Sequence, residues 1–351
     1  MKIGILTYHY TPNIGATLQA FALQKAIQKL GYDCEIIDYR CENIDKREIE
    51  YHRNPNRFKD LIIHKFLWPQ QERKIVECQD FIETRSSVSA QRYDASNIVE
   101  ANNNYDILIS GSDMIWNLEV NGYDYTYFLD FANKDKYKLS YASSIGGVWQ
   151  DSDVERIKTL LTHYNSISMR ESDSVEYVNN TLGLDCKWVC DPTMLLSSEE
   201  WNELVSGCSL EDYVLVYFPY KEILNAAYEY ALKHDKKLVV VGGFKKEYNE
   251  KRVQIYNPYE WIGYFKNADA IFTDSYHGVL FSLYFEKDFF TYNESNRIKT
   301  LLTRFNAEDA YIQRNAECKC VLDYSQINDN IERFRRDSLM FLSENLANCE
   351  M

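Results

Sequence analysis

The stretch IGILTYHYTPNIGATLQAFALQKAIQKLGYDCEIIDY, residues 3–39, decides the fold. It opens on a short apolar run at 3–8, which reads as a buried strand, and passes through a loop at 9–16. Leu18, Phe21, Ala22, Leu23, Ala26, Ile27 and Leu30 then recur at helical spacing. Gly31 stands where a glycine ends a helix, and 34–39 reads as a second strand. Strand, helix and strand within about 40 residues imply a parallel pair joined by a right-handed crossover.

Working outward, the alternation persists. Strands are expected at 105–110, 139–144, 166–170, 213–218, 237–241, 270–273 and 288–292, with amphipathic helices between them and a long terminal helix at 327–346. Residues 42–100 break the rhythm with a charged, helical pattern and read as a helical insert. Cys190-Asp191-Pro192-Thr193 reads as a hinge, because proline and the residue before it resist helix. The expected architecture is α/β: two doubly wound, Rossmann-like domains facing a cleft. Residues 1–190 would form the first, with the insert at about 42–100, and 191–330 the second, while 331–351 would return as a helix to the first.

Composition narrows the function. The chain has 351 residues, 45% apolar and 26% charged, an ordinary globular balance. No run approaches the ~18 apolar residues of a membrane-spanning helix. Lys plus Arg is 39 and Asp plus Glu 53, so the net charge of 39 − 53 = −14 argues against binding a nucleic-acid backbone. Met1-Lys2 leads straight into the first strand without a signal-peptide core, and the nine cysteines are odd in number and scattered. Reduced thiols and a cytoplasmic location are therefore expected. Cys318-Lys319-Cys320 is too closely spaced for a usual metal pair and has no facing pair, so no metal is expected. Patterns for dinucleotide fingerprints, P-loops, HExxH zinc sites, GxSxG elbows and kinases are lacking.

Ligands in open α/β sheets bind beyond the carboxyl ends of the strands, so five loops matter. In the first, Asn13 and Gly15 open a helix whose N–H groups could face a ligand or simply be capped; His9 and Tyr10 lie just before them. In the second, 110–117, Asp113 fits a sugar hydroxyl or a helix cap, and Trp116 fits a sugar face or the core. In the third, Arg170 suits a carboxylate or phosphate, or an ion pair with Glu171 or Asp173. The fourth, 272–279, places His277 at a helix start, a position for a general base or anion ligand, with Ser275 and Gly278 beside it. The fifth, 293–300, brings Arg297 and Lys299 to a helix start that fits either phosphate or solvent. The remaining histidines read as surface.

Several of these pieces, taken in order, resemble the polysaccharide pyruvyl transferase family. They are Ile3-Gly4-Ile5-Leu6 with Asn13-Ile14-Gly15, Gly111-Ser112-Asp113-Met114-Ile115-Trp116-Asn117, Tyr141-Ala142-Ser143-Ser144-Ile145-Gly146, Ser168-Met169-Arg170-Glu171, Cys190-Asp191-Pro192-Thr193, and Thr273-Asp274-Ser275-Tyr276-His277-Gly278. They span residue 3 to about 305; 42–100 and the tail after 306 carry no matching motif. The resemblance implies a GT-B-like fold. It also implies transfer of a pyruvyl group from phosphoenolpyruvate, a co-substrate, onto two hydroxyls of one sugar as a cyclic ketal, with no further cofactor. Arg170 and His277 would serve the donor, helped by Ser275, Gly278 and either Lys299 or Arg297. Asn13, Gly15, Tyr10, Asp113 and Trp116 would then face the acceptor sugar, which could be lipid-linked. The stretch 56–73 mixes apolar and basic residues and reads as a packed cap helix or as a segment lying on the inner membrane face. Alternatives are a GT-B-like glycosyltransferase using a nucleotide sugar, with Glu294 as its candidate ribose ligand, and a non-catalytic binding protein of a polysaccharide locus.

Overall fold

In the computed structural model, residues 1–50, 58–243, 246–313, 318 and 322–350 are described. The chain divides into two compact units, Met1–Leu195 with Phe334–Met351, and Leu196–Arg333.

The first unit is built on a five-stranded parallel sheet in the order β3-β2-β1-β4-β5. Its strands are β1 Lys2–Leu6, β2 Asp33–Tyr39, β3 Val88–Tyr93, β4 Ile107–Ser110 and β5 Tyr137–Ser140. β1 and β4 lie at its centre and are wholly apolar apart from their ends, as strands covered on both faces must be. The helix Ile14–Lys29 crosses over from β1 to β2. Asn13 caps it, and Gly31 leaves it with φ +92°, a left-handed backbone that favours glycine. A short parallel pair, β6 Ile167–Met169 and β7 Cys186–Trp188, continues beside β5 through the bridges Leu139–Ser166 and Ser143–Met169.

The second unit repeats the plan. Its parallel sheet runs β10-β9-β8-β11-β12, with β8 Tyr213–Tyr217, β9 Lys237–Val241, β10 Lys251–Val253, β11 Ala270–Thr273 and β12 Asp288–Phe290. Phe272 on β11 stacks on Phe290 of β12 at 4.6 Å inside a core of Val214, Val216, Leu224 and Val240. In each unit the strand order reverses once, between β1 and β4 in the first and between β8 and β11 in the second. That reversal opens a crevice at the carboxyl edge.

Two expectations need correction. The 42–100 segment is not a purely helical insert: after the helix Phe58–Arg85, Val88–Tyr93 forms the outer strand of the sheet. Only two of its six residues, Ser89 and Tyr93, are buried, so no apolar run announces it. Lys251–Val253 is likewise an edge strand that the pattern did not show. Of the stretch 56–73, residues 56 and 57 lie outside the described residues and the rest starts the helix Phe58–Arg85. Lys319 and Cys320 also lie outside them. Among the described residues no helix is long and apolar enough to cross a membrane.

Truncating the fully buried Phe272 to alanine should cost about 3–5 kcal/mol, because the sheet cannot close over the void. Denaturant unfolding of Phe272→Ala would show this as a lower midpoint.

Candidate active site

The crevice of the first unit lies between the loops after β1 and β4, which internal hydrogen bonds join. Gln19, fully buried in the crossover helix, donates from Nε2 to Thr7 Oγ1 at 2.9 Å and to the Ala16 carbonyl at 3.0 Å. Its Oε1 accepts from the Ser112 N–H at 3.2 Å, so one side chain ties both loops together. Gly111 has φ +142°, and a Cβ there would stand 2.1 Å from the Tyr141 carbonyl oxygen, so only glycine fits. Asp113, at φ +71°, follows it.

Several expected ligand groups are taken up by internal contacts. Trp116 is fully buried, stacks on Phe128 at 5.2 Å and donates from Nε1 to the Tyr127 carbonyl at 2.9 Å. It is core and offers no face to a sugar. Tyr10 is also buried, and its hydroxyl lies against the Cys41 backbone. Asn13 is exposed, but its side chain accepts the Gly15 and Ala16 N–H groups as a helix cap, and Gly15 itself is buried.

Arg170 requires the largest correction. Its side chain is 1% exposed, with Nη1 3.0 Å from Asp191, Nε 3.0 Å from Glu171 and Nη2 3.7 Å from Asp113. Glu171 also accepts from Ser144 Oγ at 2.9 Å, and Asp191 accepts from Thr193 N and Oγ1. The guanidinium fork is therefore turned toward carboxylates, the ion-pair alternative of the sequence reading extended to Asp191. In this arrangement it links the strand-end loops that carry Asp113, Glu171 and Asp191.

A second buried network surrounds Asp38. His9 Nε2 lies 3.1 Å from its Oδ1, Arg40 donates to Oδ1 at 2.7 Å, and Arg92 donates to Oδ2 at 3.2 Å. Burial acts to raise this carboxyl, but the His9 hydrogen bond and the Arg40 charge outweigh it. The group is held below the ordinary carboxylate range.

The second unit's crevice is organised around Asp274, at the end of β11. Its Oδ1 accepts from Thr291 Oγ1 and the Tyr292 N–H, both at 2.8 Å, and its Oδ2 accepts from the Tyr220 hydroxyl at 2.6 Å. Its carbonyl accepts from Asn293 Nδ2 at 2.8 Å. The loops after β8, β11 and β12 thus share one carboxylate. Burial, reinforced by Asp274, pushes the Tyr220 phenol far up, so it stays protonated. The next residue, Ser275, caps the helix Tyr276–Tyr284 by accepting the Gly278 N–H at 3.2 Å. A Cβ on Gly278 would meet Thr273 Oγ1 at 2.6 Å, so the glycine seats the helix directly against β11. His277 is the second residue of this helix, half-buried, with its ring edge-on to Tyr276. It stands beside the N–H groups that the first helical turn leaves without intrahelical partners, where negative charge is favoured.

Arg297 and Lys299 occupy the first turn of the next helix, Asn296–Phe305; Arg297 is half-buried and Lys299 exposed. Sequence reasoning quoted Asp274 only as part of a motif and overlooked Tyr220 and Tyr292. The signal available was an aromatic residue shortly after each flanking strand. Among the described residues no three His, Cys, Asp or Glu side chains are grouped to hold a metal ion.

The family model described as polysaccharide pyruvyl transferase matches residues 13–296. Among solved structures, UDP-GlcNAc 2-epimerase from Neisseria meningitidis bound to UDP-GlcNAc superposes with a TM-score of 0.54 at 7% identity, covering 99% of this chain and 100% of that one. An alpha-glucosyltransferase in complex with UDP-glucose and DNA containing an abasic site gives 0.50 at 9% identity, covering 98% and 93%. These likenesses show the fold, two Rossmann-like units of the GT-B type. No curated protein sequence matches the chain.

Two stability measurements follow from the buried networks. Arg170→Ala should lose about 3–5 kcal/mol in chemical denaturation, because it strands carboxylates inside the protein. Asp38 has a folded pKa below its unfolded value near ~3.9, so its contribution is present above that value and is lost as the pH falls below it. Asp38→Asn should therefore melt well below the parent at pH 7, with the gap closing as the pH is taken from 5 down to about 2.

Proposed function

The chain belongs to the polysaccharide pyruvyl transferase family, and from that premise we propose that it transfers a pyruvyl group from phosphoenolpyruvate to two hydroxyls of one sugar in a polysaccharide or its lipid- or nucleotide-linked precursor. The observation that carries this reading is the placement of His277 at a helix start that Ser275 caps and Gly278 seats against β11, on the carboxyl edge of a parallel sheet.

The chemistry asks little of the protein beyond placement and proton traffic. Protonation of the enol methylene makes a methyl group and leaves positive charge on the carbon bearing phosphate. A sugar hydroxyl attacks that carbon and the carbon–oxygen bond to phosphate breaks. A second hydroxyl then closes the ketal. Of the two hydroxyl protons, one balances the proton taken up by the methylene and the other leaves with phosphate. His277 is assigned as the base that takes a hydroxyl proton. The Tyr276 and His277 N–H groups and the Ser275 hydroxyl hold the phosphate, with Arg297 or Lys299 supplying positive charge. Arg170 acts as a positioning residue through Asp113 and Asp191. The reaction is assigned to the cytoplasmic side, where such precursors are assembled.

Incubation with phosphoenolpyruvate and a panel of glycan acceptors should release phosphate and produce a ketal methyl singlet in proton NMR. His277→Ala should lower that rate by about 10²–10⁴-fold while melting like the parent. Release of UDP from UDP-sugars with phosphoenolpyruvate untouched would replace this reading with glycosyl transfer. A full rate in His277→Ala would remove the base assignment.

A further inference from the structure

We propose that a cavity in the second unit, between the loops after β8 and β12, holds a glycosyl residue of the acceptor that carries no acidic group. The inference rests on the pyruvyl-transfer reading only in calling the ligand an acceptor.

The cavity measures about 470 Å³, and its walls include Tyr220, Glu222, Tyr292, Glu294 and Tyr311. That volume suits one or two sugar rings. Two of the phenols spend their single proton on carboxylates: Tyr220 donates to Asp274 at 2.6 Å and Tyr311 to Glu294 at 2.9 Å. What these phenols then turn toward a ligand is oxygen. Glu222 and Glu294, both exposed, add carboxylates. None of the described residues lining the cavity is basic. A surface made of phenol rings, phenol oxygens and carboxylates accepts hydrogen bonds and repels anions. Its matching ligand offers apolar ring faces and many O–H or N–H donors, as a neutral or amino sugar does, and an ammonium group would gain further from the rings. A uronic acid or a sugar phosphate would bring a like charge to Glu222 and Glu294.

Location ties the cavity to the chemistry. Tyr220 and the backbone of Tyr292 are both held by Asp274, three residues before His277. The same carboxylate therefore fixes two walls of the cavity and the start of the His277 helix. Phosphoenolpyruvate, carrying both a carboxylate and a phosphate, is a poor occupant of these walls, so donor and sugar are sorted by charge within one loop cluster.

The test uses the full chain and isothermal calorimetry with three tetrasaccharides: chitosan tetramer (cationic), cellotetraose (neutral) and tetragalacturonate (anionic). The first two should bind, and the uronate should bind at least about tenfold more weakly. Glu222→Gln with Glu294→Gln changes only exposed side chains; it should weaken the chitosan tetramer and narrow the discrimination against the uronate. Tyr292→Ala should weaken both favoured ligands by about tenfold. Equal or tighter binding of the uronate, no binding of any tetrasaccharide, or unchanged affinities in all the variants would overturn the proposal. Phosphoenolpyruvate turnover on the same samples separates the two readings. Ketal formation that ignores these variants sinks the cavity alone. Selective sugar binding without ketal formation sinks the reaction alone.

Discussion

One carboxylate, that of Asp274, joins three strand-end loops that the chain visits far apart in sequence. It takes hydrogen bonds from Tyr220 after β8 and from Thr291 and Tyr292 after β12, while standing at the end of β11 itself. Loops at the carboxyl edge of a parallel sheet have no ladder of their own to hold them, so a shared acceptor is an economical constraint. From it follow the direction of the Ser275-capped helix, the placement of His277 and the walls of the neighbouring cavity. Hydrogen bonds to an ionised group are the strong kind, worth about twice a neutral pair, which suits a loop cluster required to stay in place while ligands come and go.

The two units apply the same topology to different ends. In the first, Gln19 joins the loops after β1 and β4, and the Arg170 carboxylate cluster joins the adjoining strand ends. In the second, the loops after β8 and β12 keep phenols and carboxylates open to a cavity. A buried guanidinium facing carboxylates adds little to net stability, yet removing it leaves uncompensated charge. Its value lies in fixing where Asp113 and Asp191 stand. A residue type suited to anion binding is here paired with carboxylates of its own chain.

Much of this was legible in the sequence. The apolar runs of β1, β4, β8 and β11 declare central parallel strands because both faces are covered. The helical spacing of Leu18, Phe21 and Ile27 declares the crossover. The edge strands β3 and β10 stayed hidden because an edge exposes side chains and needs no apolar run. Trp116 and Arg170 were ambiguous for a different reason: an indole or guanidinium at a strand end looks alike whether it turns outward or inward. The choice is made by distant partners, Phe128 for one and Asp191 for the other. Asp274 shows the same limit, since its partners lie 17 to 54 residues away and no local pattern names them.

The most direct test of the account is to remove that shared acceptor. In Asp274→Ala, calorimetry should show phosphoenolpyruvate and the chitosan tetramer both weakened by about tenfold or more, in a protein whose far-UV spectrum is unchanged. Parent-like affinity for both ligands would contradict the claim that this carboxylate holds the site together.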